Sequence, residues 1–318
     1  MRILANDGIA ADGKEALEMA GFEVVTETIP QEKLAAEINN FDALVVRSAT
    51  KVNAEILNAC ERLKLVVRAG VGIDNIDTDA AEKNNVAVRN TPTSSSLSVA
   101  ELVIAHMFCL ARFLHESNRQ MPVNGTTQFK DLKKQYEKGI ELRGKTLGII
   151  GFGRIGQETA KIAVGLGMNV IAYNLIEVNM ELTFDHLPFT PAPKLKIEAT
   201  TLEEVCKRSD FISLHVPYNP GEKPVLSKEH FAMMKKGVGI INCARGGVIN
   251  EAEMAEALEA GTLGFVGLDV FENEPKPSEA VLKMKNASYS PHIGASTKEA
   301  QLRVSKEVAE TIISFFKN

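Results

Sequence analysis

Short apolar runs separated by amphipathic stretches dominate the first part of the chain. Arg2–Asn6, Phe22–Thr26, Ala43–Val46, Leu65–Arg68 and Val86–Val88 read as strands. Gly13–Ala20, Glu32–Ile38, Ala54–Ala59 and Asp77–Asn84 read as the helices between them. Repeated strand–helix units of this kind predict a parallel sheet with helices on both sides. Asn90–Ser96, polar and proline-containing, reads as a linker. Ser98–Asn118 carries Val99, Leu102, Val103, Ala105, His106, Leu110, Phe113 and Leu114, and is apolar around much of a helical circumference. It predicts one long helix buried on several sides, partly in a subunit interface.

A second series begins at Thr146. Its strands are Thr146–Ile150, Asn169–Tyr173, Phe211–His215, Gly239–Asn242 and Gly264–Asp269, with Ser288–Ser290 as a sixth. Leu175–Ala199 is proline-rich and weakly periodic, and predicts an irregular surface excursion. Lys298–Phe316 is amphipathic and is expected to return as a helix onto the first domain. The expected class is α/β, with two doubly wound parallel-sheet domains. Residues 1–95 and 291–318 make one discontinuous domain, and residues 96–290 make the other.

The chain has 318 residues, long for one core, so composition supports two domains. Hydrophobic residues make up 45% and charged residues 24%, as in globular proteins. The net charge of -5 offers no basic footprint for nucleic acid. No apolar run is long enough to span a bilayer, and no membrane partner is expected. Cys60, Cys109, Cys206 and Cys243 are widely spaced, without the pairing of a metal site, so no metal is expected and the thiols read as reduced and cytoplasmic.

Candidate chemistry begins where the strand Thr146–Ile150 runs into Gly151, Gly153 and Gly156 and then into a helical pattern. That is the context in which a G-x-G-x-x-G binds a dinucleotide. Gly151 permits the turn, Gly153 lets the backbone approach a pyrophosphate, and Gly156 lets helix and strand pack closely. An ordinary tight strand-to-helix turn would use the same residues. Three later segments each put chemistry at a strand end. Arg245 precedes a Gly-Gly turn, and its planar fork suits a carboxylate. Glu274 lies just beyond the strand that ends at Asp269, and His292 sits between Pro291 and Ile293-Gly294. Each alone also reads as a surface arginine, a solvated acid or a structural histidine. Together, beside a dinucleotide loop, they suit hydride transfer. His292 is the acid/base, Glu274 its partner that favours the imidazolium, and Arg245 the group that orients substrate and polarises its carbonyl.

These segments, with the glycine loop and Asn90-Thr91-Pro92, resemble the D-isomer-specific 2-hydroxyacid dehydrogenase family over nearly the whole chain. The resemblance implies a central Rossmann NAD domain inserted in a flavodoxin-like substrate domain, with the active site in the cleft between. It implies an NAD-dependent enzyme. Cofactor contacts are expected from Val71, Gly151, Gly153, Arg154, Ile155, Gly156, Asn174, His215, Val216, Pro217, Cys243, Ala244, Asp269, Gly294 and Ala295, with Cys243 and Asp269 near the nicotinamide carboxamide. Within the family, Val46–Lys51 and Arg68–Asp77 are most similar to the branch that oxidises 3-phospho-D-glycerate in serine biosynthesis. Arg47 and Arg68 would meet the phosphate, with Ser48 a further substrate contact. Backbone N–H groups of Gly70, Val71 and Gly72 would hold the carboxylate. Strand capping or pairing with surface acids is the other reading of the two arginines. Another D-2-hydroxy acid (glycerate/hydroxypyruvate or lactate) and a corepressor-like NAD-binding scaffold are the alternatives.

The sequence departs from the family pattern at Asn174, where an aspartate usually grips the adenosine ribose. NAD stays favoured, with weaker discrimination against NADP. Thr91–Ser95 and Ser290–His292 are the expected hinges. The chain is expected to be a short form without a regulatory domain, acting on a small molecule as a homodimer or higher homo-oligomer joined through the nucleotide domain.

Overall fold

The computed structural model describes residues 1–219 and 221–317. It divides into two compact units, Met1–Ser96 with Ala295–Asn318, and Leu97–Gly294. Residues 291–294, His292 included, therefore go with the second unit and not with the closing segment of the first.

The first unit is built on β1 (Arg2–Ala5), β2 (Glu23–Val25), β3 (Ala43–Val46), β4 (Leu65–Arg68) and β5 (Ala87–Asn90). All pairings are parallel and the order is β2-β1-β3-β4-β5, the flavodoxin-like arrangement. The central strand β3 is buried at every position. Alternate residues of the strands feed two cores, one on each face. Leu4, Leu44, Val46 and Val66 enter the first core, and Ile3, Ala43, Val45 and Val67 the second. The closing helix, Lys298–Lys317, seals the second core with Val304, Val308, Ala309 and Ile312. Its fit against the helix Ala11–Met19 is close. A Cβ on Gly13 would lie 2.6 Å from the Ser305 carbonyl oxygen, and Ser305 Oγ accepts from Ala10 N at 3.0 Å.

Asn90–Ser96 is not a free linker. Thr91, Ser94, Ser95 and Ser96 are buried. Arg303 on the closing helix donates to the Ser94 carbonyl at 2.9 Å, and Glu307 accepts from the Thr93 and Ser94 hydroxyls. The Thr93 and Ser94 hydroxyls that suggested exposure are instead bonded to Glu307 across this seam.

The second unit holds β6 (Thr146–Ile150), β7 (Asn169–Tyr173), β8 (Glu181–Thr183), β9 (Lys194–Lys196), β10 (Glu198–Ala199), β11 (Phe211–Leu214), β12 (Val238–Asn242), β13 (Leu263–Leu268) and β14 (Ala287–Tyr289). Seven strands form one parallel sheet, ordered β10-β7-β6-β11-β12-β13-β14. The first six are in the Rossmann order, whose switch point lies between β6 and β11. The excursion after β7 is more regular than its sequence implies. β8 and β9 pair antiparallel, and β10 adds the sheet's edge strand. Strands of two or three residues are too short to display a period of two.

The expected helix 98–118 is two helices, Ser96–Ala111 and Leu114–Asn124, bent by 58°. Phe113 at the break is left-handed (φ 52°), and its ring packs against Tyr136 and Phe265. Docking of that ring between the helix Phe129–Tyr136 and β13 outweighs helix continuity. Among the described residues, no single helix is long and apolar enough to cross a membrane.

Candidate active site

The carboxyl ends of β6 and β11 meet at the glycine loop. Gly151 has φ +98°, and a Cβ there would lie 2.6 Å from the His215 carbonyl oxygen and 2.9 Å from Val216. A Cβ on Gly156 would collide with the Gly151 carbonyl. Gly153 is exposed, and no atom lies within 4 Å of a Cβ built there. It is also the N-cap of the twelve-residue helix Arg154–Gly165, and makes no side-chain capping bond. The first N–H groups of that helix and the space over Gly153 fit an anionic pyrophosphate. The residues present therefore fit a dinucleotide. Burial holds the His215 imidazole down to about 3, so it is neutral, with Nε2 2.9 Å from Ser213 Oγ.

Asn174 follows β7. Its Oδ1 accepts from Phe152 N at 2.8 Å, and its Nδ2 donates to the Ile176 carbonyl at 2.9 Å. The amide is thus a strut between the glycine loop and the excursion. One carbonyl lone pair and one N–H remain for a ligand.

The end of β12 presents Arg245. Asn242, 2% exposed, shapes the turn. Its Oδ1 accepts from Ala244 N at 3.0 Å, and its Nδ2 donates to the Arg245 carbonyl at 2.8 Å. Burial pushes the Cys243 thiol well above its usual range, with Asp269 adding to the shift, so it is not a thiolate. A Cβ on Gly246 would collide with the Phe271 carbonyl, and this close approach brings the Arg245 turn beside the loop that carries Glu274.

Glu274 Oε2 lies 2.7 Å from His292 Nδ1, and its Oε1 accepts from Phe271 N at 3.0 Å. Burial alone would raise this carboxyl. The His292 bond and charge, the Phe271 N–H and the nearby Arg245 together pull it below the usual carboxylate range. His292 is left-handed (φ 54°), and its N–H donates to the Asp269 carbonyl at 2.8 Å. Asp269, 1% exposed, also accepts at Oδ1 from Ile293 N (2.9 Å) and at Oδ2 from Gly294 N (2.8 Å). Arg245, Glu274, Asp269 and His292 are therefore brought together within the second unit.

In the first unit, Arg47 and Ser48 follow β3. Asp7 clamps that loop, accepting from Arg47 N (2.6 Å) and from Thr50 N (3.1 Å) and Oγ1 (2.6 Å). Asn75 donates to the Arg47 and Thr50 carbonyls, both at 2.7 Å. Gly70 has φ +151°, and a Cβ there would collide with the Arg68 guanidinium. Val71 is exposed, and Ala295 belongs to this unit. Arg154 and Pro217 are exposed, and Ile155, Val216 and Gly72 half-buried.

Sequence reasoning missed Asp7, Asn75, Asn242 and Glu251. Asp7 and Asn242 each stand at the end of an otherwise apolar strand, which was the available signal. Glu251 is 6% exposed, and its Oε1 accepts from Glu272 N (2.8 Å) while Glu272 Oε1 accepts from Glu251 N (3.0 Å). Burial first, then the Glu272 and Glu274 charges, raise its carboxyl to about 7 against the pull of the Glu272 N–H.

Residues 104–294 match the model of the D-isomer specific 2-hydroxyacid dehydrogenase NAD binding domain. D-3-phosphoglycerate dehydrogenase of Methanocaldococcus jannaschii is 40% identical over 313 residues, 98% of this chain and 57% of that protein. The chain spans little more than half the length of such relatives. Hydroxypyruvate reductase of Thermotoga maritima is 42% identical over 317 residues, 98% of this chain and 97% of that protein. The holo form of Rhodotorula graminis D-mandelate dehydrogenase superposes with a TM-score of 0.84 at 27% identity, covering 98% of this chain and 93% of that one. Likeness of this extent, reaching beyond the nucleotide fold to both ends of the chain, makes it a member of the D-isomer specific 2-hydroxyacid dehydrogenase family, with that family's NAD-binding domain at residues 104–294.

Proposed function

We propose that the chain catalyses reversible, NAD-dependent oxidation of 3-phospho-D-glycerate to 3-phosphohydroxypyruvate, the entry to serine biosynthesis. The observation that carries the dehydrogenase reading is the Glu274–His292 pair with Arg245 close enough to act on Glu274. Bound NAD supplies the hydride acceptor, or NADH the donor. Residues Gly151–Gly156, with Arg154 and Ile155, would hold its pyrophosphate, Asn174 the ribose side, and Val71, His215–Pro217, Cys243, Ala244, Asp269, Gly294 and Ala295 its other parts.

His292 moves the proton. Glu274 takes the hydrogen bond of Nδ1–H, which leaves Nε2 to accept the hydroxyl proton in oxidation and to return it in reduction. With its carboxyl held low, Glu274 remains an acceptor and stabilises the imidazolium when it forms. Arg245 orients the substrate carboxylate and stabilises charge on the reacting oxygen.

The substrate assignment rests on Arg47 and Arg68 for the phosphate, on Ser48 as a further substrate contact and on the Gly70, Val71 and Gly72 N–H groups for the carboxylate. Arg47 supports it. Its backbone is clamped by Asp7, and its buried Nε has no hydrogen-bond partner among the described residues. A second reading, reduction of unphosphorylated hydroxypyruvate, is favoured by the Thermotoga maritima relative, which this chain matches along nearly its full length. The working unit we propose is a homodimer joined through the second unit, where Leu114, Met121, Val123 and Phe129 are exposed. Four free cysteines fit a reducing, cytoplasmic setting.

NADH consumption with phosphohydroxypyruvate, hydroxypyruvate and pyruvate in parallel decides among the readings. The highest kcat/KM is expected for phosphohydroxypyruvate. A preference for hydroxypyruvate would move the assignment to the second reading, and no turnover of any 2-oxo acid would overturn the dehydrogenase reading itself.

A further inference from the structure

The second unit buries a histidine that the reaction above does not use. His106, on the helix Ser96–Ala111, is 4% exposed. Its Nδ1 lies 2.9 Å from Ser288 Oγ and its Nε2 3.0 Å from Ser290 Oγ. Ser290 Oγ in turn donates to Asp269 Oδ1 at 2.6 Å. Asp269 is the same residue that accepts from the backbone of Ile293, Gly294 and, at its carbonyl, His292.

These contacts assign every hydrogen in the chain of bonds. A carboxylate accepts and cannot donate, so the Ser290 hydroxyl proton points at Asp269. The Ser290 oxygen must then accept, and His106 Nε2–H is the donor beside it. Nδ1 is left unprotonated and accepts from the Ser288 hydroxyl. The ring is accordingly one tautomer of neutral imidazole. Its burial agrees with this. Desolvation pushes the imidazole down and His115 adds to the fall, against the opposing pull of Asp269. The neighbouring strand makes room for the ring, because a Cβ on Gly267 would lie 3.0 Å from His106 Cβ and 3.2 Å from Cγ.

We propose that His106 is a positioning residue. As a neutral Nε2–H imidazole it orients the Ser290 hydroxyl, and through it holds the Asp269 carboxylate and the turn that presents His292. The proposal rests on the reading of Asp269 as a cofactor contact and His292 as the acid/base. A single polar side chain on the first helix of the unit thus sets the geometry at the far ends of β13 and β14. Neither Asp269 nor the 290–294 turn is left to rotate when a ligand arrives.

The test uses the full chain and three variants, His106→Leu, His106→Gln and Ser290→Ala. Gln can return an N–H to the Nε2 position, and Leu cannot. In wild type, nitrogen-15 spectra of histidine at neutral pH should show one neutral ring in the Nε2–H tautomer. NADH dissociation constants, from fluorescence titration, should rise roughly ten-fold in Ser290→Ala, which loses a hydrogen bond to a charged group, and roughly five-fold in His106→Leu, which loses one between neutral groups. His106→Gln should stay within about three-fold of wild type, because the bond is restored. Melting temperatures should not follow that order, since Leu fills the buried site at least as well as Gln. A ring that carries its proton on Nδ1 overturns the proposal. So does equal loss in the Leu and Gln variants, or unchanged NADH binding in Ser290→Ala, which remains informative if His106→Leu fails to fold. A wild-type chain that neither binds NADH nor reduces a 2-oxo acid would sink the dehydrogenase reading instead, while the tautomer measurement still reports on His106.

Discussion

His292 and Glu274 form a pair whose two members do different work. Glu274 spends both oxygens on fixed donors, His292 Nδ1 and Phe271 N. In the proposed reaction, His292 keeps its other ring nitrogen for the proton. Replacing His292 by Asn should lower turnover by roughly two to four orders of magnitude, the usual contribution of a positioned acid/base. NADH affinity should hold, because the glycine loop is untouched. Near-normal turnover would remove His292 from the reaction. Glu251 makes a different prediction. Burial pushes its folded carboxyl up to about 7, against an ordinary value of 4.5. Below the lower value it is protonated in both states and costs nothing. Between the two the folded state binds the extra proton, so this group makes stability fall as pH rises, with the full penalty reached above about pH 7. That penalty is about 3 kcal/mol at 1.36 kcal/mol per unit. Glu251→Gln keeps the acceptor for Glu272 N and removes the charge. Its melting temperature should exceed wild type by several degrees at pH 8.5, with the two nearly together at pH 5. Equal shifts at both pH values would show that titration of Glu251 is not involved. Arg245, Glu274 and His292 are legible in the sequence because each stands beside a Gly or Pro at a strand end. Glu251 is not, since a first-turn acid on a helix ordinarily serves the helix dipole in solvent.

The glycine loop is the element on which sequence and structure agree most closely. Gly151 and Gly156 each have a separate steric reason, set by atoms of the loop itself or of an adjacent strand, while the space over Gly153 is open. The elements that follow it are less local. Asn174 joins the loop to the excursion, accepting from Phe152 N and donating to Ile176 O. An aspartate there keeps the first bond and loses the second. Asn174→Asp should therefore raise the ratio of NAD to NADP preference, since a carboxylate repels a 2′-phosphate. It should also quicken amide exchange from 176 to 180. An unchanged cofactor ratio would mean that position 174 serves the loop and not the ribose. The broken helix carries the same lesson. Nothing in Ala111-Arg112-Phe113-Leu114 marks a stop: there is no glycine, proline or cap. The stop comes from the Phe113 ring docking on Phe265 and Tyr136, partners that are distant in sequence.

At the scale of the whole molecule, the first unit is completed by the last helix, and the fit depends on Gly13 lying against Ser305. Gly13→Val would force a side chain into that seam, at a cost of about 1–3 kcal/mol for overpacking. Hydrogen-exchange protection should fall in β1–β5 and in Lys298–Lys317, while β6, β11 and β12 keep theirs. Uniform loss across the chain would contradict this division of stability. The sequence alone determined the alternation of strands and helices, the parallel sheets, the glycine loop and the strand-end positions of Arg245, Glu274 and His292. All of these follow from local spacing, from apolar runs of strand length, and from glycine and proline at strand ends. Tertiary structure alone decided the helix break at Phe113, the small strands of the excursion and the burial of Thr91 and Ser94–Ser96. It also decided the partnership of His106 with Ser288 and Ser290. Each of these depends on which distant groups meet, and a polar residue reads the same in sequence whether its partner is water or a buried hydroxyl.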